Sequence, residues 1–152
     1  MDHADSEFYV IHVDDSQDDA FLVERCLKSL YSNIKFKHFI DGEGFLNYIN
    51  EGYVCKDTDP VSDNCIVLLD INMPGLNGID VLKELQNSEN EDSKNIPIVM
   101  FSSSFNERDI EKCKRHGARD YIVKPFSYPE MKETFAKFFD RWKNNDPLIN
   151  GQ

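Results

Sequence analysis

The run IVLLDINMPGLNG, residues Ile66 to Gly78, decides how this chain is read. A stretch apolar enough for the inside of a sheet ends on Asp70, and a Met-Pro-Gly turn follows at once. An unpaired buried carboxylate is strongly unfavourable and would ordinarily protonate. A chain that keeps Asp70 at the end of an interior strand must therefore bring a compensating charge to it.

Working outward, apolar segments with strand character alternate with amphipathic helical ones. The strand segments are FYVIHV at Phe8, IKFKHFI at Ile34, CIVLLD at Cys65, IPIVMF at Ile96 and DYIV at Asp120. This alternation predicts βα units around a parallel sheet. The third and fourth segments are almost wholly apolar, as strands covered on both faces should be, whereas IKFKHFI alternates and suits an edge. Five helices are expected. The first spans about Gln17 to Tyr31 and buries Ala20, Val23, Leu27 and Leu30. Asp41 precedes the second, which carries Phe45, Leu46 and Ile49; Asn77 caps a third with Ile79, Leu82 and Leu85 inward. Asn106 caps a fourth that offers only Ile110 and Cys113 before Gly117 stops it, so it should be loosely held. The last begins at SYPE, where Ser127 and Glu130 have capping-box spacing, and buries Met131, Phe135, Phe138, Phe139 and Trp142. Two polar stretches, 53–64 and 86–95, read as surface loops, and residues 1–6 and 144–152 as flexible termini.

In an open parallel sheet, ligands bind at the carboxyl ends of the strands. The first strand there ends in Asp14 and Asp15, the third in Asp70, the fourth in Ser102 and the fifth in Lys124. Singly, each has an ordinary reading: a turn aspartate, a solvated lysine, one serine among three whose choice over Ser103 depends on strand register. Their conjunction at successive strand ends is far more specific. Three neighbouring carboxylates stay ionised only with a cation among them. Mg²⁺ suits them, because it takes hard oxygen ligands, keeps several waters and needs few carboxylates. Lys124 can hold a phosphate oxygen, Ser102 can donate to another, and Asp70 can attack phosphorus to form an aspartyl phosphate.

The remaining composition narrows the function. With 152 residues the chain has room for one core, and 40% hydrophobic content suits a globular domain. No apolar run approaches the roughly 20 residues that span a bilayer, and the N-terminus lacks a signal-type region, so a cytoplasmic protein is expected. A net charge of -11 argues against a general grip on nucleic acid and against anionic membrane surfaces. The basic stretch Lys112 to Arg119 reads as a solvated helix end. Cys26, Cys55, Cys65 and Cys113 lack C-x-x-C spacing and read as reduced thiols. No histidine pairs at metal spacing, and His12 reads as packed within the fold.

The segments VDDSQDD, LLDINMPGLNG, FSSS and GARDYIVKPF, in this order, resemble the receiver domains of two-component response regulators over residues 7–143. The resemblance implies a flavodoxin-like, doubly wound, five-stranded parallel sheet in the order 2-1-3-4-5 with five helices. It implies that Asp70 accepts a phosphoryl group from a histidine kinase or a phosphotransfer protein. Asp15 and Asp70 would bind Mg²⁺ with the backbone carbonyl of Asn72, Asp14 acting partly through water. Ser102 and Lys124 would read the phosphate. Tyr121 would be the switch aromatic, turning from exposed to buried as Ser102 moves inward. Asn72 and Ser104 flank the route of an attacking water and would tune the lifetime of the phosphorylated state.

The chain departs from the common pattern in carrying serine at position 102 where many receivers have threonine, which removes a methyl that limits rotamers. Its two long loops resemble those of stand-alone receivers, including phytochrome-associated ones. No output domain follows the last helix, so the signal is expected to leave through an unidentified downstream protein or a homodimer, at the face of the fourth helix, fifth strand and fifth helix. Two rivals compete. A phosphatase of the haloacid dehalogenase type needs a second acid two residues after its nucleophile, where this chain has Asn72. A pseudo-receiver adaptor that works without phosphorylation usually lacks a site residue, and none is lost here.

Overall fold

The computed structural model describes residues 8–51 and 65–143. The expected loop at 53–64 and both termini lie outside the described residues. Five strands, β1 (Phe8–Val13), β2 (Ile34–Phe39), β3 (Cys65–Leu69), β4 (Ile98–Ser102) and β5 (Asp120–Val123), form one parallel sheet in the order β2-β1-β3-β4-β5. This is the flavodoxin-like arrangement the sequence predicts. β3 and β4 are buried along their whole length, while β2 lies at an edge and alternates.

Among the described residues six helices flank the sheet: α1 (Gln17–Leu30), α2 (Gly42–Asn50), α3 (Gly78–Gln86), α4 (Glu91–Asn95), α5 (Glu107–Arg115) and α6 (Tyr128–Lys143). The expected count of five is corrected by α4, one short turn inside a stretch read as loop. Asn90 starts it, accepting the Ser93 N–H on its side chain at 3.4 Å, and Ser93 is buried. A cap within a run of polar residues gives no apolar period to detect.

Two cores result. On one face, Ile11, Val13, Val67, Leu69 and Met100 pack against Phe45 and Ile49 of α2, Val81, Leu82 and Leu85 of α3, and Cys113 of α5. On the other, Val10, Ile66, Leu68, Val99 and Phe101 meet Val23, Cys26 and Leu27 of α1 and Met131, Phe135, Phe138 and Phe139 of α6. α5 commits Cys113 fully and Ile110 only in part, so it has the thinnest anchorage of the longer helices. Cys26 and Cys113 are free thiols. Cys65 is disulfide-bonded, which corrects the reduced-thiol expectation at that residue; Cys55 lies outside the described residues. Pairing depends on Cβ proximity in the fold, and C-x-x-C spacing is no guide to that.

Candidate functional site

Local chemistry brings each strand end to one place. Asp14 follows β1 and accepts the Ser16 N–H on Oδ1 at 2.9 Å, a turn that leads directly into α1 with Ser16 as its cap. Asp70 follows β3 and is tied at Oδ1 by the Ile71 N–H, 2.7 Å away. Behind it the turn reverses at Gly75, whose φ of 74° is a left-handed conformation that favours glycine. The Gly78 N–H then returns to the Ile71 carbonyl at 2.9 Å, closing the turn onto the head of α3. There Asn77 and Asp80 form a reciprocal capping box.

Side-chain oxygens of Asp14, Asp15 and Asp70 lie within 4.8 Å of one another. Asp14 is fully buried, Asp70 is 6% exposed, and Asp15 faces solvent. Lys124, at the end of β5, reaches across: its Nζ is 2.9 Å from Asp14 Oδ2, 3.2 Å from Asp70 Oδ2 and 2.7 Å from Asp19 Oδ2. The acids and the lysine expected from the sequence therefore meet. Strand register selects Ser102, which closes β4 and is buried, whereas Ser103 is exposed. Asn72 stands exposed in the turn after Asp70.

Ser104 and Tyr121, also expected from the sequence, meet each other across the β4–α5 segment. Ser104 donates its hydroxyl to Asp109 at 2.9 Å and gives its carbonyl to the Tyr121 hydroxyl at 2.6 Å. Its side chain is engaged with α5. Tyr121 is already buried, at 7% exposure, held inward by that hydrogen bond and by the α2/α3/α5 core. The outward starting position expected for its ring is not the one observed.

Three contributors went unrecognised in the sequence. Asp19 was passed over within VDDSQDD, although it lies one turn into α1 on the side facing Lys124. His12 is fully buried with Nε2 3.4 Å from Asp14 Oδ2, close enough to favour the ionised form of that carboxyl. His38, its register partner on β2, contacts the Asp14 carbonyl through Nε2 at 2.7 Å. A carbonyl accepts only, so His38 Nε2 carries the proton there. The pairing of His12 with His38 across neighbouring strands was the available signal.

The charges sort accordingly. Burial alone would raise the Asp14 carboxyl, but His12, Lys124 and the Ser16 N–H outweigh it and hold it at about 2. Asp70 moves the other way. Burial raises it and the Asp14 charge adds to this, with Lys124 opposing incompletely. Burial works against the charged form of Lys124, yet its carboxylate partners prevail and raise it. Desolvation lowers His12, with the Asp14 carboxylate opposing it.

The donor set fits a hard divalent cation: three acids each offer a carboxylate oxygen within 4.8 Å of the others, and the buried Asp14 Oδ2 has no hydrogen-bond partner among the described residues, only the ionic contacts with Lys124 at 2.9 Å and His12 at 3.4 Å.

A parallel sheet with this strand order, bearing converging acids and a lysine at its carboxyl edge, is the arrangement of a class of signalling domain. The model described as response regulator receiver domain matches residues 10–136, and the chain belongs to that family. Receiver domains are signalling switches and not typical enzymes. Chemotaxis protein CheY-3 of Vibrio cholerae serotype O1 is 29% identical over 124 residues, 82% of this chain and 88% of that protein. The two-component response regulator ARR7 of Arabidopsis thaliana is 31% identical over 128 residues, 83% of this chain and 60% of that one. Among solved structures, the phosphorylated cyanobacterial phytochrome response regulator RcpA has a TM-score of 0.76 at 23% identity, covering 92% and 96% of the two chains, a likeness of fold. The Mn²⁺-bound form of response regulator Rcp1 has a TM-score of 0.68 at 26% identity, covering 89% and 94%.

Proposed function

We propose that the protein is a phosphorylation-dependent binding switch in which Asp70 accepts a phosphoryl group from a histidine kinase or a histidine phosphotransfer protein. The observation that carries this reading is the convergence of Lys124 on Asp14 and Asp70 at 2.9 and 3.2 Å, beside a clustered set of carboxylate oxygens. In the transfer, an Asp70 carboxylate oxygen forms a bond to phosphorus as the bond from phosphorus to the donor nitrogen breaks, the electron pair leaving with that nitrogen. Lys124 holds one oxygen of the transferring group and the Ser102 hydroxyl donates to another. Asp14, Asp15 and Asp70, with the Asn72 carbonyl, would hold Mg²⁺, for which the Mn²⁺-bound Rcp1 is a precedent. Bound there, the ion would offset negative charge on the phosphoryl oxygens.

The output follows from α5. An inward pull on Ser102 shifts the β4–α5 segment, whose Ser104 carbonyl holds Tyr121, and α5 is anchored thinly enough to follow. The surface that changes is that of α5, β5 and α6. A groove of about 300 Å³ along it is lined in part by Tyr121, Val123, Lys137 and Phe138, where a downstream protein or a second copy can bind. With Tyr121 inward beforehand, the switch acts by shifting an existing population. Asn72 tunes dephosphorylation from the turn beside Asp70, and Ser104 does so by positioning the β4–α5 segment. The receiver occupies residues 7–143 and works in the cytoplasm; no described helix is long and apolar enough to cross a membrane.

Intact-mass spectrometry after incubation with acetyl phosphate and Mg²⁺ tests this reading. One phosphoryl adduct is expected on the native chain and none on Asp70→Asn. An unmodified native chain, or equal labelling of the variant, would leave the adaptor reading in its place. Mg²⁺ should also stabilise the fold by linkage, by about 0.4 kcal/mol when its concentration equals the dissociation constant and about 2.7 kcal/mol at a hundredfold excess. A melting temperature indifferent to Mg²⁺ would speak against the acidic site as a cation site.

A further inference from the structure

We propose that Asp19 is a positioning residue that shares the Lys124 ammonium with Asp14 and Asp70 and so limits its competition with a cation for them, an inference that rests on the divalent-ion reading above. The start of α1 shows why this carboxylate is available. Asp19 is the third residue of the helix, the position from which an acid usually reaches back to the cap residue's N–H. Asp80 does this in α3, accepting the Asn77 N–H at 3.1 Å. At α1 the corresponding Ser16 N–H is already taken by Asp14 Oδ1 at 2.9 Å. Ser16 still caps the helix, accepting the Asp19 N–H at 3.1 Å. The Asp19 carboxylate is thereby released outward, where Oδ2 accepts a hydrogen bond from Lys124 at 2.7 Å.

This is the shortest of the three contacts the ammonium makes, and it is the one made outside the clustered oxygens. The distinction matters because Lys124 otherwise leans on Asp14 Oδ2 and Asp70 Oδ2. A divalent ion drawing on those same carboxylates would stand against an ammonium that already contacts both. Asp19 gives the ammonium an anchor the ion does not need. Without it, Lys124 would turn its full charge onto Asp14 and Asp70 and compete with the ion.

An ordinary surface ion pair is the opposing explanation, since the Asp19 side chain is 38% exposed. A calorimetric Mg²⁺ titration of the full chain separates the two. Asp19→Asn is expected to weaken Mg²⁺ about fivefold, the weight of one partly screened ion pair. Asp18→Asn removes the same formal charge from an exposed neighbour in the same turn and should weaken binding less than about twofold. In a Lys124→Met background, Asp19→Asn should do no more than Asp18→Asn, because the residue it positions is gone. Equal weakening by the two asparagine substitutions overturns the proposal, as does an Asp19 effect that survives Lys124→Met. A native chain that takes up no Mg²⁺ overturns it as well, and places the fault in the cation reading.

Discussion

Lys124→Met is expected to cost the metal-free protein about 3 kcal/mol, or about 6–12 °C in melting temperature for a domain of this size. Methionine keeps the apolar stem beside Phe101, over whose ring the native ammonium sits at 5.8 Å, so the loss isolates the charge. What remains is a buried pair of carboxylates, Asp14 and Asp70, without the cation that both contact. The pH dependence is the sharper sign. In the native protein Asp14 is held below its ordinary 3.8 at about 2, so its contribution is complete above the unfolded value and disappears as pH falls through the folded one. That contribution is about 2 kcal/mol. Asp70, raised by burial, has the opposite sign: it costs stability as pH rises through its folded value. Removing Lys124 relaxes the hold on Asp14 and lifts Asp70 further. The deficit of the variant should therefore shrink steadily on acidification, as both carboxyls protonate and stop repelling. Mg²⁺ should restore more stability to the variant than to the native chain, since it meets the same uncompensated charge with no ammonium in competition. Unfolding curves in chelator from about pH 3 to 8 decide the matter; a deficit that stays constant with pH would show that packing and not charge was lost.

The legible and illegible parts of the molecule divide by the range of the interactions that set them. β3 could be read because an apolar run followed at once by Asp70 demands cover on both faces, and the caps Asn77 and Asn106 act within three residues of themselves. Lys124 could be matched to Asp70 because strand ends in a parallel sheet share an edge. Asp19 could not be matched in the same way. Its partner is 105 residues distant, and its availability depends on Asp14 having taken the Ser16 N–H, a substitution of one acceptor for another that leaves no trace in spacing. His12 reads as an interior strand residue and is one; that its ring faces Asp14 follows from the pleat and from the packing of Phe36, His38 and Phe101 around it. α4 and the disulfide at Cys65 share a different cause, since neither is announced by hydrophobic period. The inward Tyr121 is a choice between rotamers, decided by a carbonyl on another strand's loop.

Gly78→Ala should be the most damaging single-methyl change near the site, costing about 2–3 kcal/mol. Gly78 opens α3 and is buried against the backbone of Asp70 and Ile71. A Cβ built there overlaps the carbonyl oxygen of Asp70 and lies 2.9 Å from Ile71 Cα and 3.0 Å from the Asp70 carbonyl carbon. All three obstacles are main-chain atoms, so no side chain can swing away to make room. Either the α3 head withdraws, breaking the 2.9 Å bond from its N–H to Ile71, or Asp70 itself shifts. Both routes also loosen the carboxylate cluster, because Asp70 Oδ1 is fixed by the adjacent Ile71 N–H. Mg²⁺ affinity should consequently fall together with stability. Gly75→Ala provides the comparison: that glycine has φ 74° and nothing within 4 Å of an added Cβ, so its cost is the left-handed backbone alone, about 1 kcal/mol. Thermal melts of both variants in chelator, each followed by a Mg²⁺ titration, measure the difference. If Gly78→Ala proves no worse than Gly75→Ala, or unfolds more easily while binding Mg²⁺ as the native chain does, the close approach of α3 to Asp70 is not what holds that carboxylate in place.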